Sequence, residues 1–279
     1  MENVKYMIVM VWIGSMVSCT QVEEQDAAVS ADQEPEKIAL TTVCPDQTTQ
    51  SAVGGFHVSA GSPDDLTKYR APNELSLPID PTTGNPYRKV DVVGMGIDGD
   101  SNLSFVWYMN YRYSAGTTRD LDAERSPEKY SYTLPINPDT GRPYVPENIV
   151  GMGIDGENNT VYTWYDNEYV SAGSPSSLGS KRDPYHYDLA VDPRTNKEFK
   201  PYQIRAIAIN GEINRTIVYY QGRYISEGRT SDLDYFTAQN GAYCIKRRPA
   251  LNINTGHFIG AGLDYTNDHV FMWFKGPQE

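Results

Sequence analysis

Short stretches in which apolar positions alternate with polar or small ones recur along most of this chain. The stretch from Val92 to Tyr108 reads VVGMGIDGDSNLSFVWY, and the stretch from Ile149 to Tyr165 reads IVGMGIDGENNTVYTWY. Each alternates up to an Asp-Gly pair and then resumes with alternating bulky residues. This pattern predicts two short strands joined by a tight turn.

The same motif occurs four times along the chain. Its first small residue lies at Gly94, Gly151, Ala206 and Gly260. The steps between copies are 57, 55 and 54 residues. A third strand follows that ends in Ser-Ala-Gly or Ser-Glu-Gly, and a fourth is predicted in segments such as 130–136 and 185–191. Four short strands in about 55 residues are typical of one blade, so we predict an all-β fold, a four-bladed β-propeller.

The two ends of the chain together supply one blade. The last repeat stops after its second strand, close to Glu279, whereas the segment GGFHVSAG is a third strand that ends at Gly61. Pairing of these two pieces would close the ring and leave no exposed sheet edge. The predicted propeller domain spans residues 53–279.

The first residues carry the pattern of an export signal. Lys5 precedes an apolar run, Tyr6–Val17, that is too short to span a bilayer comfortably. The run ends in SMVSC and resembles a bacterial lipoprotein signal, in which small residues precede a lipidated cysteine. The resemblance implies a signal peptide at residues 1–18, palmitate on Cys19 and, because Thr20 follows rather than aspartate, an outer-membrane position. An ordinary secretory peptide cut elsewhere is the alternative.

Residues 19–52 form an acidic segment between this signal and the first predicted strand. The stretch TQVEEQDAAVSADQEPEK holds few aromatic or β-branched residues, so it cannot bury enough apolar surface to offset its ordering entropy. We predict a flexible tether that holds the folded domain clear of the membrane. The formal net charge of the whole chain, -12, argues against nucleic acid as a partner, because phosphate binding needs clustered Lys and Arg.

The other two cysteines form a candidate disulfide. With Cys19 assigned to the lipid, Cys44 and Cys244 are left as a pair in an oxidising compartment. Such a bond would fasten the start of the ring to its last third. A four-bladed ring closed by both termini and a disulfide resembles a hemopexin-type propeller over roughly residues 56–276, and the repeats are also similar to lectin-like propellers. The resemblance is architectural only, because GxGID and SAG are not the blade motifs of the hemopexin family.

One oxygen-bearing residue ends the first predicted strand of each blade: Asp98, Asp155, Asn210 and Asp264. First strands line the central channel of a propeller, so pseudo-fourfold symmetry would gather these side chains at one channel mouth. An all-oxygen environment suits Ca²⁺, which makes this quartet a candidate metal site. The alternative is that each residue only shapes its own turn, because Asp-Gly and Asn-Gly are favoured where φ is positive.

A second quartet is aromatic and lies in the middle of the second strands: Trp107, Trp164, Tyr219 and Trp273. Aromatic faces stack on the apolar faces of sugars, so these residues are candidates for ligand binding. The alternation of bulky residues within the same strands supports a different interpretation, in which the rings pack between blades as part of the core.

No motif in the chain names a reaction. The four histidines fall at different places in the repeat, and the chain lacks HExxH, GxSxG and a phosphate-binding glycine loop. We predict no catalytic residues and disfavour an enzyme. We expect an envelope-anchored binding module that recognises carbohydrate or a surface protein through repeated loops, whose copies would add avidity. The alternative is a structural or assembly lipoprotein that holds Ca²⁺ at the propeller channel.

Overall fold

The structure is a computed structural model that describes Cys44 and residues 55–237, 241–245, 258–264 and 269–275. The propeller belongs to the compact unit Ala39–Glu279. The predicted signal peptide at residues 1–18, the lipidation site Cys19 and the predicted tether at residues 19–52, apart from Cys44, lie outside the described residues.

The described residues are mostly short strands. In the first half of the chain these are β1 Phe56–Ser62, β2 Asp65–Leu75, β3 Val92–Asp98, β4 Leu103–Tyr108, β5 Tyr113–Gly116, β6 Ile149–Asp155, β7 Thr160–Tyr165 and β8 Tyr169–Ser174. In the second half they are β9 Ser177–His186, β10 Val191–Asp192, β11 Lys197–Glu198, β12 Ile204–Asn210, β13 Arg215–Tyr220, β14 Tyr224–Gly228, β15 Tyr243–Cys244, β16 Phe258–Asp264 and β17 His269–Lys275.

Within the described residues, these strands form four blade sheets and one small hairpin, β10–β11. Blade 1 contains β3–β4–β5, blade 2 β6–β7–β8–β9, blade 3 β12–β13–β14–β15 and blade 4 β16–β17–β1–β2. In blade 4, β1 pairs antiparallel with β17, from Phe56 opposite Lys275 to Gly61 opposite Val270. The predicted four-bladed propeller and its closure by strands from both ends of the chain are confirmed.

The first strand of each blade faces its counterparts around a closed inner ring. Strand β3 contacts β6, β6 contacts β12, β12 contacts β16, and β16 contacts β3. The motif glycines allow this close approach: a Cβ at Gly94 would lie 2.6 Å from the Met152 side chain, and one at Gly96 would lie 2.7 Å from Ile154. Since Met152 and Ile154 are both buried, the Gly-x-Gly motif serves as an interlock between neighbouring inner strands.

The interlock repeats around the ring with one change of size. A Cβ at Gly151 would lie 2.6 Å from the Ile207 side chain, and one at Gly260 would lie 2.7 Å from the Met95 side chain. Blade 3 has Ala206 where the other blades have glycine, and Ala261 of blade 4 stands where they have methionine or isoleucine. Both alanines lie in one apolar cluster. Where alanine replaces the motif glycine, the side chain that packs against it from the next blade is therefore smaller as well.

The interlocking contacts also fix the direction of the inner strands. Gly94 and Gly96 meet Met152 and Ile154 in the same order along both strands, so β3 and β6 run parallel. The contacts of Gly151 with Ile207 and of Gly260 with Met95 extend this direction around the ring. We call the end where the inner strands begin the N-face and the end where they finish the C-face.

The fourth strand differs from the prediction. In blade 2 the fourth strand is β9, which begins at Ser177, well before the predicted segment 185–191. In blade 1 no fourth strand accompanies β3–β5 among the described residues. Segment 130–136 contributes only isolated bridges there, such as Arg112 to Ser131. The reason lies at the glycine of Ser-Ala-Gly. A Cβ at Gly173 would lie 2.0 Å from the Ser177 carbonyl oxygen, so the chain reverses directly after this residue.

A disulfide joins Cys44 to Cys244, with 5.6 Å between their Cα atoms. Cys44 is buried in the apolar cluster that contains Phe199 and Tyr220 of blade 3, and its backbone N–H donates to the Tyr224 hydroxyl at 3.4 Å. Cys244 lies in β15, the fourth strand of blade 3. The predicted bond between the start of the ring and its last third is therefore present.

Candidate functional site

The predicted metal quartet lies at the C-face, where each member ends an inner strand and is buried. The Asp98 carboxylate accepts hydrogen bonds from the Asp100 backbone N–H at 3.2 Å and the Ser101 hydroxyl at 2.7 Å. The Asp155 carboxylate accepts from the backbone N–H and the side-chain amide of Asn158, at 3.2 and 2.9 Å. These bonds close the turns that follow β3 and β6, which is the role given by the turn alternative.

The remaining members of the quartet are Asn210 and Asp264. The Oδ1 atom of Asn210 is buried and has no hydrogen-bond partner among the residues that the structure describes. In the described part of the chain, however, no three His, Cys, Asp or Glu side chains come together in an arrangement that could hold a metal ion. The quartet shares a channel mouth, and Asp98 and Asp155 are already engaged by their own turns.

The predicted ligand-binding aromatics are fully buried and clamp adjacent blades. Each donates a hydrogen bond to a backbone carbonyl of the next blade, two residues after the glycine that ends its third strand. Trp107 Nε1 donates to Pro175 at 2.9 Å, Trp164 Nε1 to Thr230 at 3.0 Å, Tyr219 OH to Pro63 at 3.1 Å and Trp273 Nε1 to Thr118 at 3.1 Å. Stacking on a sugar needs an open ring face, and these four rings have none, so the core-packing alternative describes them.

An open cleft of about 650 Å³ lies between the end of β2 in blade 4 and a turn of blade 1. Its lining includes Leu75, Arg119, Asp120 and Asp122. Burial and the neighbouring Asp120 raise the pKa of the Asp122 carboxyl. The cleft therefore holds two neighbouring carboxyl groups, and that of Asp122 keeps its proton to a higher pH than an isolated aspartate.

The same acidic pair recurs in blade 3, which is opposite blade 1 in the ring. There, burial and Asp232 raise the pKa of Asp234 to about 6. In both blades the leucine between the two aspartates, Leu121 or Leu233, is fully buried. In blades 1 and 3 the aspartate pair thus flanks a buried leucine that anchors the turn. The pair is therefore a feature of the blade architecture.

Exposed apolar side chains occur on three turns of the N-face. Short 3-10 turns precede the inner strands of blades 1, 2 and 3, at Lys89–Asp91, Pro146–Asn148 and Pro201–Gln203. The middle residues of the first and third turns, Val90 and Tyr202, are 69% and 71% exposed. Val145 at the start of the second turn is 43% exposed. Three equivalent turns therefore carry apolar groups to the same face.

Positive charge gathers at the centre of this N-face. Arg205 is the second residue of the inner strand of blade 3, and Lys89 comes from the turn that precedes blade 1, on the opposite side of the ring. Burial lowers the pKa of the Lys89 ammonium, and repulsion by Arg205 and Lys275 lowers it further. Burial also lowers the pKa of Arg205. The mouth of the ring at the N-face is therefore a basic, partly desolvated site.

The turns at the opposite face expose carboxylates. Asp100, Glu157 and Glu212 occupy the same exposed position in three of the turns that follow the inner strands. The N-face also carries the exposed Glu147 in its second 3-10 turn, so its positive charge is confined to the mouth. A partner that carries negative charge is attracted to that mouth and repelled by the C-face carboxylates.

Sequence reasoning missed Lys89 and Arg205, although one signal was present. The position before the first motif glycine is Val93, Val150 and Ile259 in three repeats and Arg205 in the fourth. A cation that replaces an aliphatic residue in a repeated pattern marks a local departure from symmetry. Its relation to Lys89 could be found only once the two were placed across the ring.

No family model matches this chain, and no curated protein matches it. Among solved structures, it is similar to U3-55K, with 8% identity and a TM-score of 0.30 over 56% of this chain and 39% of that chain. It is also similar to the WD40 repeats of RRP9, with 8% identity and a TM-score of 0.27 over 56% of this chain and 38% of that chain. The chain spans about two fifths of the length of these structures, and a likeness this distant assigns no function.

Within the described residues, the structure contains no helix of the length and apolar character needed to cross a bilayer.

Proposed function

We propose that this propeller is a protein-binding module that docks an acidic, partly apolar segment of an envelope or cell-surface protein on its N-face. The observation that carries the proposal is the arrangement of exposed apolar residues on three equivalent turns around a basic mouth. Val90, Val145 and Tyr202 supply apolar contact area, and Lys89 and Arg205 supply the charge. Apolar patches with a complementary charge are typical of protein-binding surfaces.

Charge complementarity selects the kind of partner. The chain has a net charge of -12, so an acidic partner is repelled by most of its surface. The exposed acids at the C-face strengthen that repulsion, whereas the N-face mouth attracts the same partner. An acidic segment would therefore dock in one orientation, and its apolar residues would meet the 3-10 turns.

A library of immobilised peptides that alternate glutamate with leucine or tyrosine tests this docking, with lysine-for-glutamate versions as charge controls. The double variant Val90→Ser/Tyr202→Ser should lose at least about tenfold in affinity, because it removes two exposed apolar contacts. The matched control is Ile213→Ser, since Ile213 is 54% exposed in a turn at the C-face. Equal binding by the lysine peptides, or an equal loss in the control, would contradict N-face docking.

Carbohydrate recognition is separated from protein docking by a glycan array probed with the same variants. The four buried aromatics offer no sugar-stacking surface, whereas the ring of Tyr202 is exposed on the N-face. If Tyr202 serves protein docking, we expect no glycan signal that depends on the N-face. Glycan binding that the Val90→Ser/Tyr202→Ser variant abolishes, without any peptide binding, would replace the proposed partner class.

We also propose that the propeller is held at the outer membrane by a lipid on Cys19. The support is the lipoprotein-like signal SMVSC followed by an acidic segment. Labelled palmitate should be incorporated into the wild-type protein and not into Cys19→Ser, which should appear in the soluble envelope fraction. Incorporation into Cys19→Ser would contradict the anchor.

A structural role with Ca²⁺ at the channel is the second candidate. The observation that favours it is the buried Oδ1 of Asn210 at the channel mouth, which has no hydrogen-bond partner among the described residues. Addition of Ca²⁺ to the chelated protein should then raise the Tm, and Asp155→Asn should remove the increase. An unchanged Tm would eliminate this role.

A further inference from the structure

We propose that Lys89 and Arg205 form a binding site for a carboxylate carried on an apolar group, at the mouth of the ring on the N-face. The inference rests on the proposed function, because the docked segment is one source of that carboxylate; a free organic acid is the other. Both sources present the same chemistry to the protein.

The hydrogen bonds of Arg205 leave part of its guanidinium without an acceptor. One Nη atom donates to the carbonyls of Tyr202 and Ile204, at 2.8 and 3.1 Å, and the other donates to the Gln221 Oε1 at 3.1 Å. All three acceptors are neutral. The Nε atom is buried and has no partner in the described part of the chain. A buried, unpaired donor on a charged group is costly, and an anion that enters the mouth would supply the missing acceptor.

Lys89 adds a second charge that lacks a counter-ion. Among the described residues, no carboxylate forms an ion pair with Lys89 or with Arg205. The acid closest in sequence is Asp91, and its carboxylate is bound by Arg88 at 2.9 Å. Half-buried like charges that face one another destabilise the free protein, so an anion between them gains from both attractions.

The surroundings of the two cations select the kind of anion. The residues equivalent to Arg205 in the other three blades are Val93, Val150 and Ile259, and all three are aliphatic and half-buried. All four positions lie near the N-face end of an inner strand, so the cations share the ring mouth with three aliphatic side chains. Such a mouth suits a carboxylate with an apolar substituent better than a fully hydrated inorganic anion. Arginine also matches the planar geometry of a carboxylate.

Calorimetry with hexanoate, with the neutral analogue hexanamide and with inorganic phosphate tests the site. The wild-type protein should bind hexanoate and not hexanamide, and phosphate should bind more weakly. Arg205→Gln and Lys89→Gln should each weaken hexanoate binding at least about tenfold. Lys200→Gln is the matched control, because this exposed lysine next to the turn 201–203 loses the same unit of charge. The site would be overturned if hexanamide or phosphate bound as tightly as hexanoate. It would also be overturned if Lys200→Gln weakened hexanoate binding as much as Arg205→Gln and Lys89→Gln do.

A second readout shows that any loss of binding is not a loss of folding. Lys89 is repelled in the free protein, so Lys89→Gln should have a Tm at or above that of the wild type without hexanoate. In the wild type, hexanoate should raise the pKa of Lys89, as followed by NMR of the lysine ammonium groups. An unchanged pKa with hexanoate bound would place the ligand elsewhere and overturn the assignment.

Peptides that end in leucine, with a free or an amidated C-terminus, separate the two sources of the carboxylate. Tighter binding of the free acid, lost in Arg205→Gln, supports delivery by a partner protein. Equal binding of the two forms while hexanoate still binds supports a free organic acid.

Failure of the site and failure of the docking proposal are distinguishable. If hexanoate binds through Arg205 but Val90→Ser/Tyr202→Ser captures acidic peptides normally, the carboxylate site stands and the docking surface fails. If the rim variant loses peptides while Arg205→Gln retains both peptides and hexanoate, the docking surface stands and the carboxylate site fails.

Discussion

A hydrogen bond that recurs in three blades is missing from the fourth. In blades 1, 2 and 3 a buried tyrosine at the end of the second strand bonds the serine of the third strand. The pairs are Tyr108 with Ser114 at 2.9 Å, Tyr165 with Ser171 at 3.0 Å and Tyr220 with Ser226 at 3.1 Å. Blade 4 has Phe274 at this position, and the hydroxyl of Ser59 is buried without a partner in the described residues.

Phe274→Tyr should therefore stabilise the protein, by about 0.5–1.5 kcal/mol, because the new hydroxyl reaches a buried and unpaired Ser59 Oγ. Urea denaturation measures the change. The reverse substitution, Tyr108→Phe in blade 1, should destabilise by a similar amount. A Phe274→Tyr variant less stable than the wild type would show that the fourth blade has no room for the hydroxyl.

The acidic pair of blade 3 makes stability depend on pH. The pKa of Asp234 is raised from 3.8 to about 6, so between these values the folded state holds a proton that the unfolded state releases. The stability contributed by this proton is present below 3.8 and is lost as the pH rises through 6. Asp234→Asn should therefore raise the Tm at pH 8 and have little effect near pH 4. The exposed carboxylate variant Asp183→Asn should show no such difference; the same Tm for wild type and Asp234→Asn at pH 8 would contradict the shift.

At the scale of the element, the inner strands depend on matched sizes across each blade interface. A Cβ at Gly151 would lie 2.6 Å from Cδ1 and 2.9 Å from Cγ1 of the buried Ile207. The interface between blades 3 and 4 has alanine at both equivalent positions, Ala206 and Ala261. The alanine pair therefore shows a combination of side-chain sizes that the other blade interfaces should accommodate.

Gly151→Ala alone should destabilise by about 1–3 kcal/mol through overpacking, and Ile207→Ala alone by about 2–5 kcal/mol through a cavity. The double variant should be more stable than the sum of the two single effects implies, by about 1 kcal/mol or more, because the new methyl group fills part of the cavity. Denaturation of all four proteins completes the cycle. Strict additivity would mean that the two side chains do not interlock.

The strands and their order were predictable because they depend on local alternation and on an internal repeat. The fourth strand was placed too late, since its start depends on the close approach of Ser177 to Gly173, which alternation does not report. The role of Trp107 and its equivalents was left between two alternatives, because an aromatic position alone does not show that a carbonyl of the next blade takes the indole N–H. Lys89 and Arg205 come from opposite blades and influence each other only through the closed ring, which no sequence spacing encodes.

At the scale of the whole molecule, the four blades alternate between two types. Blades 2 and 4 follow the third-strand glycine with Ser-Pro and a long outer strand, β9 or β2. Blades 1 and 3 follow it with a turn that contains Asp-Leu-Asp. The glycines of each type, Gly61 with Gly173 and Gly116 with Gly228, are both 112 residues apart. The ring is thus a pair of two-blade units, which explains why the acidic pair occurs in opposite blades.

The disulfide acts on the whole ring because it spans 200 residues and holds Cys44 against blade 3. Closure of blade 4 brings together strands from opposite ends of the chain, and the loss of chain entropy on closing so long a loop is large. Cys44→Ser/Cys244→Ser should therefore destabilise the propeller by about 2–4 kcal/mol, and the amides of β1 should exchange faster than those of β6. Reduction of the wild type should reproduce both effects. Unchanged stability with unchanged exchange in β1 would mean that the pairing of β1 with β17 is sufficient to close the ring.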